Sequence, residues 1–184
     1  MKGLATGAVA LALGMLAVAS PLRAQGAEFS LGGSVGIPLG NFDDAFKIGW
    51  HGLGAVSYVA PTIPVGFQVD GNYAQFSDES SLDIKDQIIF GTGNVVYKFK
   101  SSPETRFRPY IIGGGGVYNI KPKGSDVPSG TGSTTKFGLN GGAGFDFKAG
   151  TAGLFIEGRF HDIFTPGSDI QFIPITVGVR LGGT

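Results

Sequence analysis

Residues 64–76 read Pro-Val-Gly-Phe-Gln-Val-Asp-Gly-Asn-Tyr-Ala-Gln-Phe. In an extended chain successive side chains point to opposite faces. Val65, Phe67, Val69 and Tyr73 therefore share one greasy face, and Gln68, Asp70 and Asn72 share a polar one. The same alternation recurs along the chain. Helical periodicity is convincing nowhere, and 33 scattered glycines oppose helix.

Residues 1–24 have the layout of a secretory signal: Lys2 as a positive start, an uncharged Ala/Leu/Val/Gly run over 4–19, a break at Ser20-Pro21, and Ala24 at the cleavage position. Cleavage after Ala27 is the variant. The apolar run is 16 residues, short of the ~20 that a spanning helix needs. Residues 25–184 then form one domain with one core. Without Lys2 and Arg23, 12 basic residues face 14 acidic ones, a balance that does not point to nucleic acid. There is no cysteine, so an exported chain must hold together without disulfides. Its absence also argues against a lipid-anchored lipoprotein. Charged residues make up only 15% of the chain, low for a surface bathed wholly in water.

Eight runs of alternating residues are separated by turn-type clusters: 28–37, 50–60, 64–76, 87–99, 107–120, 136–148, 153–164 and 170–181. The sixth is the cleanest, with Phe137, Leu139, Ala143, Phe145 and Phe147 opposing Gly138, Asn140, Gly142, Gly144 and Asp146. The second alternates poorly. Alternation alone leaves open which face is inside, and a soluble lipocalin-like binder in the periplasm would turn the apolar face inward. Three features favour the inverse. The polar face is Gly, Asn, Ser, Thr and Gln with few of the Lys and Glu of a solvated surface. Its charges carry both signs, as a paired interior needs. Aromatic residues sit near run ends (Trp50, Tyr58, Tyr73, Phe76, Tyr97, Phe99, Phe107, Tyr118, Phe137, Phe147), as interfacial girdles do. The runs match the ~9–11 residues of a tilted strand crossing hydrocarbon, and closure is required because lipid cannot satisfy an open edge. The expected fold is all-β, an eight-stranded antiparallel up-and-down transmembrane barrel. Connections at 38–49, 77–86 and 121–135 are long and those at 61–63, 100–106 and 149–152 shorter, which places the long ones outside and both termini in the periplasm, with the loop at 165–169 an exception, outside but short.

The chain resembles the small outer-membrane β-barrels, the eight-stranded OmpA-, OmpX- and OmpW-like family. The resemblance rests on Val35-Gly36-Ile37-Pro38-Leu39-Gly40-Asn41-Phe42, Arg108-Pro109-Tyr110, Phe155-Ile156-Glu157-Gly158-Arg159-Phe160-His161 and Ile173-Pro174-Ile175-Thr176-Val177-Gly178-Val179-Arg180-Leu181. It covers the whole mature chain and implies fold rather than activity. It implies Sec-type export to the outer membrane, insertion by the barrel-assembly machinery, lipopolysaccharide and other outer-membrane lipid as surroundings, and a monomer. Family members typically end in an aromatic residue, whereas here Leu181 is followed by Gly182-Gly183-Thr184. Pro109 and Pro174 each remove a ladder donor and are expected near strand ends or bulges.

Asp70, Lys98, Asp146, Glu157, Arg159 and Arg180 are expected to face inward as a charge network, because eight strands enclose a lumen just wide enough for side chains. The favoured reading is a packed polar lumen inside a scaffold that presents loops or has a structural role. The alternative is a narrow pore for small or hydrophobic solutes. No enzyme is expected: the histidines are His51 and His161, His161 is followed by Asp162-Ile163 rather than a serine two residues on, and neither Ser57 nor Ser168 is obviously near a histidine. No metal site and no cofactor are expected from two isolated histidines without cysteine. The Gly113–116 and Gly141-Gly142-Ala143-Gly144 runs lie inside strands, outside the strand-turn-helix setting of a phosphate loop. The loop over 77–86, with Asp78, Glu79, Asp83 and Asp86 against Lys85, reads as a solvated acidic loop before a cation or basic-partner site.

Overall fold

The computed structural model describes residues 26–43, 46–59, 63–78, 84–100, 105–128, 130–149 and 152–182. The export segment expected at 1–24 lies outside them, as do Glu79 and Asp83 of the acidic loop. Eight strands follow in chain order: β1 Ala27–Leu39, β2 Gly49–Val59, β3 Val65–Ser77, β4 Lys85–Lys98, β5 Phe107–Lys123, β6 Thr134–Ala149, β7 Ala152–Ile163 and β8 Ile170–Gly182. Each pairs antiparallel with its neighbour, and β8 pairs with β1 to close the barrel. Among the described residues no helix is long and apolar enough to cross a membrane.

The register sets the shape. Ladder partners followed from Phe29 run through Val56, Val69, Gly93, Gly115, Leu139, Asp162 and Gln171, and return to β1 at Leu39, ten residues further on. That shear, over eight strands, tilts them by about 40°. The closed ring leaves no free sheet edge, the condition for a sheet in hydrocarbon.

The faces sort by parity. Val35, Trp50, Phe67, Val69, Phe137, Leu139 and Val177 all point outward, each more than half exposed. Asp70 and Arg159 point inward, each 2% exposed. A soluble lipocalin-type barrel would show the opposite. Tyr58, Tyr97, Phe99, Phe107 and Phe147 ring the short-turn end, and Trp50, Tyr73 and Phe137 the other, with Trp50 stacked on Tyr73 at 4.8 Å between centroids. Phe76 and Tyr118, expected in those girdles, are instead buried in the lumen. The reason is parity: Phe76 shares a face with Asp70 and Asn72, and Tyr118 with Tyr110.

The connections are 40–48, 78–84, 124–133 and 164–169 at one end and 60–64, 99–106 and 150–151 at the other. They contrast less than the sequence suggests, because β1, β4, β5 and β6 run past the apolar belt into the expected loops. Gly40, at φ 57°, starts a 3-10 turn (Gly40–Phe42) that folds Phe42 back into the barrel mouth. Pro109 sits near the start of β5, where the expectation placed it. Pro174 lies inside β8 without a bulge. The β7–β8 ladder skips Arg159 and Phe160 opposite Pro174 and Ile173 and resumes in the same register, as loss of one N–H requires.

Lumenal glycines are seats for large side chains. A Cβ on Gly49 would lie 2.6 Å from Phe76 Cδ1, one on Gly138 2.9 Å from Tyr118 Cε2, and one on Gly178 2.6 Å from Phe155 Cε1. At these three positions the ring lies against a stretch of wall that carries no side chain.

Candidate functional site

The lumen is filled in three storeys. At the short-turn end Glu28, Lys98, Asp146 and Arg180 come together from β1, β4, β6 and β8. Lys98 Nζ donates to Glu28 Oε2 at 2.6 Å and lies 3.1 Å from Asp146 Oδ2, while Arg180 Nη1 donates to Asp146 Oδ1 at 2.6 Å. The two positive and two negative charges balance. The Arg180 guanidinium also lies over the Tyr110 and Phe155 rings, at 5.3 and 4.9 Å.

The middle storey is built around Asp70. Its carboxylate accepts from Gln68 Nε2, Asn72 Nδ2, Thr92 Oγ1, Asn94 Nδ2 and Arg159 Nη1 at 2.6–3.1 Å. Arg159 Nε and Nη2 both donate to Glu157 Oε1, at 2.9 and 2.6 Å, and the Tyr110 hydroxyl donates to Glu157 Oε2 at 2.9 Å. Period 2 makes this possible. Gln68, Asp70 and Asn72 share the inner face of β3, and Thr92 and Asn94 stand opposite Asp70 and Gln68 in the β3–β4 ladder. A charge taken out of water must be paired and hydrogen-bonded, and here a web of neutral amides and hydroxyls does most of that work.

The upper storey, at the long-loop end, is apolar. Phe42, Phe76, Ile88, Phe90, Tyr118, Ile120, Ile163 and Phe172 form one buried cluster. His161 stacks on Phe172 at 4.9 Å and 4°, with its Nδ1 2.9 Å from the Tyr118 hydroxyl. The packed polar lumen expected from the sequence is thus polar in its lower two storeys only.

All six expected charges face the lumen. Asp70, Glu157 and Arg159 form one group, and Lys98, Asp146 and Arg180 another. No ion pair joins Glu157 to Arg180, because Tyr110 stands between them, its hydroxyl on one and its ring under the other. Sequence reasoning missed Glu28, which opens the first run on the same face as Ser30. Tyr110→Phe leaves Glu157 Oε2 without this donor and is expected to lower unfolding stability by about 1–3 kcal/mol, read as an earlier loss of the compact unboiled gel band in urea.

Sequence reasoning also missed a hydrogen-bonded line from Ser34 through His51 to Asn72. Ser34 Oγ is 2.6 Å from His51 Nδ1, and His51 Nε2 is 3.0 Å from Asn72 Oδ1. Asn72 Nδ2 donates onward to Asp70, so its Oδ1 accepts from His51 and leaves Nδ1 to accept from Ser34. The direct pairing of Ser34 with His51 in the β1–β2 register creates the contact. Serine, histidine and an amide in this order resemble a hydrolase relay, but the surroundings do not. Ser34 Oγ is also 2.8 Å from Thr176 Oγ1, and the His51 ring stacks on Phe90. The backbone around Ser34 is laddered to both β2 and β8, so it offers no pair of free N–H groups for an oxyanion. Among the described residues no group of His, Cys, Asp and Glu could hold a metal ion.

No curated protein matches the sequence. Among solved structures the chain is similar to Neisserial surface protein A, at 14% identity and TM-score 0.68 over 85% of this chain and 97% of that one. It is also similar to the attachment invasion locus protein Ail of Yersinia pestis, crystallised with the heparin analogue sucrose octasulfate, at 18% identity and TM-score 0.51 over 85% and 99%. The outer membrane enzyme PagL aligns at 17% identity and TM-score 0.51 over 83% and 98%. At these identities the likeness is one of fold. A family model described as the outer membrane protein beta-barrel domain matches residues 8–181. The closed register, the outward apolar faces and this match agree: the chain belongs to the outer membrane protein β-barrel family.

Proposed function

We propose that the protein is a non-conducting, non-catalytic scaffold of the outer membrane that presents the connections at its long-loop end to partners outside. Export by a Sec-type signal, insertion by the barrel-assembly machinery and a monomeric state in lipopolysaccharide-containing membrane belong to the same reading. The observation that carries it is the aromatic storey. Phe76 and Phe172 are 0% exposed and meet edge to face at 5.4 Å across the upper lumen, and packed rings offer an ion nothing in place of its hydration shell.

Planar bilayers test this directly. The wild-type barrel is expected to give no single-channel steps, and Phe76→Ala/Phe172→Ala, which empties the upper storey above a charged lower lumen, is expected to give them. The double variant must first show a heat-modifiable band, since each truncation costs about 3–5 kcal/mol. Steps from the wild-type protein that change when Arg159 or Arg180 is neutralised would establish instead the narrow-pore reading, which the charged lower storeys favour. PagL is an enzyme on the same fold, so the non-catalytic reading has its own check. Lipid A from cells with and without the protein is expected to have the same mass, and Ser34→Ala to change nothing.

A further inference from the structure

Beyond the export segment acids outnumber bases, yet the short-turn end of the barrel is basic. Lys100, Arg106, Arg108 and Lys148 gather at the β4–β5 connection and the end of β6, and the connections at 60–64 and 150–151 hold no charged residue. The sheet sets these bases side by side. Phe107 pairs with Phe147, and one residue further the Lys148 N–H donates to the Arg106 carbonyl at 2.9 Å, which puts Arg106 beside Lys148. Lys98 pairs with Tyr110, and the Phe99 N–H donates to the Pro109 carbonyl at 3.0 Å, which brings Lys100 beside Arg108. Like charges directly opposite in a sheet repel. Asp146 is the ladder partner of Arg108, but its carboxylate is taken by Lys98 and Arg180 in a storey that is already balanced. None of the four bases has an ion pair to a described residue. Glu104, in the same connection, lies outside the described residues, and one carboxylate leaves three of the four charges in excess.

Parity identifies the side from which a partner comes. Phe99, Phe107 and Phe147 point outward in the aromatic girdle. The four bases alternate with them and share the face of Lys98, Tyr110 and Asp146. They therefore line the mouth of the lumen and not the lipid-facing wall, with Lys100, Arg106 and Lys148 exposed and Arg108 half-buried. A partner reaches them from water, and the buried Lys98 and Arg180 above stop it from going further in. Spacing identifies its chemistry. Arg106 and Arg108 stand two residues apart on one face of β5, about 7 Å. Each has a lysine beside it, so the cluster is two Arg–Lys pairs. A guanidinium holds a carboxylate through two parallel N–H donors. An extended peptide with an acid at every second position repeats its carboxylates along one side at the same ~7 Å. We propose that the periplasmic mouth of the barrel docks an extended acidic segment of a periplasmic protein, with Asp or Glu at alternate positions, one carboxylate on Arg108 and Lys100 and the next on Arg106 and Lys148. Such a segment relieves both like-charge appositions at once.

The test uses refolded full-length barrel in neutral detergent micelles and a fluorescent octapeptide of alternating Thr and Glu. Anisotropy at low salt compares it with a peptide of the same composition whose glutamates are contiguous. The wild type is expected to prefer the alternating peptide. Arg106→Gln/Arg108→Gln is expected to bind it about tenfold more weakly, the loss of two exposed ion pairs. Lys121→Gln/Lys123→Gln, which removes the same charge at the long-loop end, is expected to bind as the wild type does. Lys100→Gln/Lys148→Gln alters exposed side chains only and is expected to weaken binding in the same direction, which keeps the test decisive should the change at half-buried Arg108 cost the heat-modifiable band. Equal affinity for the two peptides would reduce the cluster to diffuse charge and overturn the proposal. So would unchanged binding by the folded mouth variants, or an equal loss in the long-loop control. Tighter binding of inorganic tripolyphosphate than of the peptide, lost in the same mouth variants, would assign the mouth to a phosphate polymer and overturn it too. Conductance and lipid A mass have no part in this outcome, so it stands or falls apart from the scaffold reading.

Discussion

Arg159→Met is expected to lower unfolding stability by about 3–5 kcal/mol, the usual result of removing one partner from a buried ion pair. Arg159 is the only cation in contact with Asp70 and Glu157 among the described residues, at 2.9 and 2.6 Å. Without it two carboxylates remain in a filled lumen. Asp70 keeps four neutral donors, but Glu157 keeps only Tyr110. The triple variant Asp70→Asn/Glu157→Gln/Arg159→Met removes the charges together and is expected to recover most of the loss, because a balanced neutral set needs no counter-ion. Urea titration of the compact gel band measures both. A loss below ~1 kcal/mol in Arg159→Met would mean that water enters freely enough to solvate the carboxylates, and the non-conducting reading would fall with it.

The strands were legible because a barrel wall in lipid repeats one rule at every position. Val65-Gly66-Phe67-Gln68-Val69-Asp70 needs no distant partner to announce its two faces, and the observed strands agree with the expected runs to within a few residues at each end. What parity assigns was therefore readable, including the inward placement of Lys98, Asp146 and Arg180. Applied without exception, the same parity would have placed Phe76 and Tyr118 inside. They were assigned outward because aromatic residues near run ends suggest girdles. Contacts across the lumen were not readable. Arg159 meets Asp70 from the far side of the ring, and Glu28 meets Lys98 at 70 residues' separation. The pairing of Ser34 with His51 depends on register, which the loop over 38–49 does not set from sequence alone. The layering of the lumen into polar and apolar halves arises in the same way, from side chains that converge only after closure.

Glycine gives the sharpest contrast between the two sides of the wall. Gly144→Ala is expected to abolish or nearly abolish the heat-modifiable band, whereas Gly93→Ala is expected to be neutral or to stabilise by up to about 1 kcal/mol. Both glycines are mid-strand and neither has a positive φ, so the difference is one of space. A Cβ on Gly144 would lie 2.5 Å from Tyr110 Cζ and its hydroxyl, and 2.6 Å from the Ile156 carbonyl oxygen. The ring can move only by giving up its bond to Glu157, and the carbonyl belongs to the β6–β7 ladder and cannot move without breaking it. Trimming the ring, as in Tyr110→Ala/Gly144→Ala, is therefore expected to rescue only part of the loss. A Cβ on Gly93 points into fluid lipid and meets nothing within 4 Å. Gel mobility of refolded variants over a urea series reads both in one experiment. Equal tolerance at the two positions would mean that the lumen is loose, and Phe76 and Phe172 would then be poor seals against ions. Intolerance at Gly93 as well would mean that the outer wall is itself a packed surface, with a bound lipid or a second barrel pressed against β4.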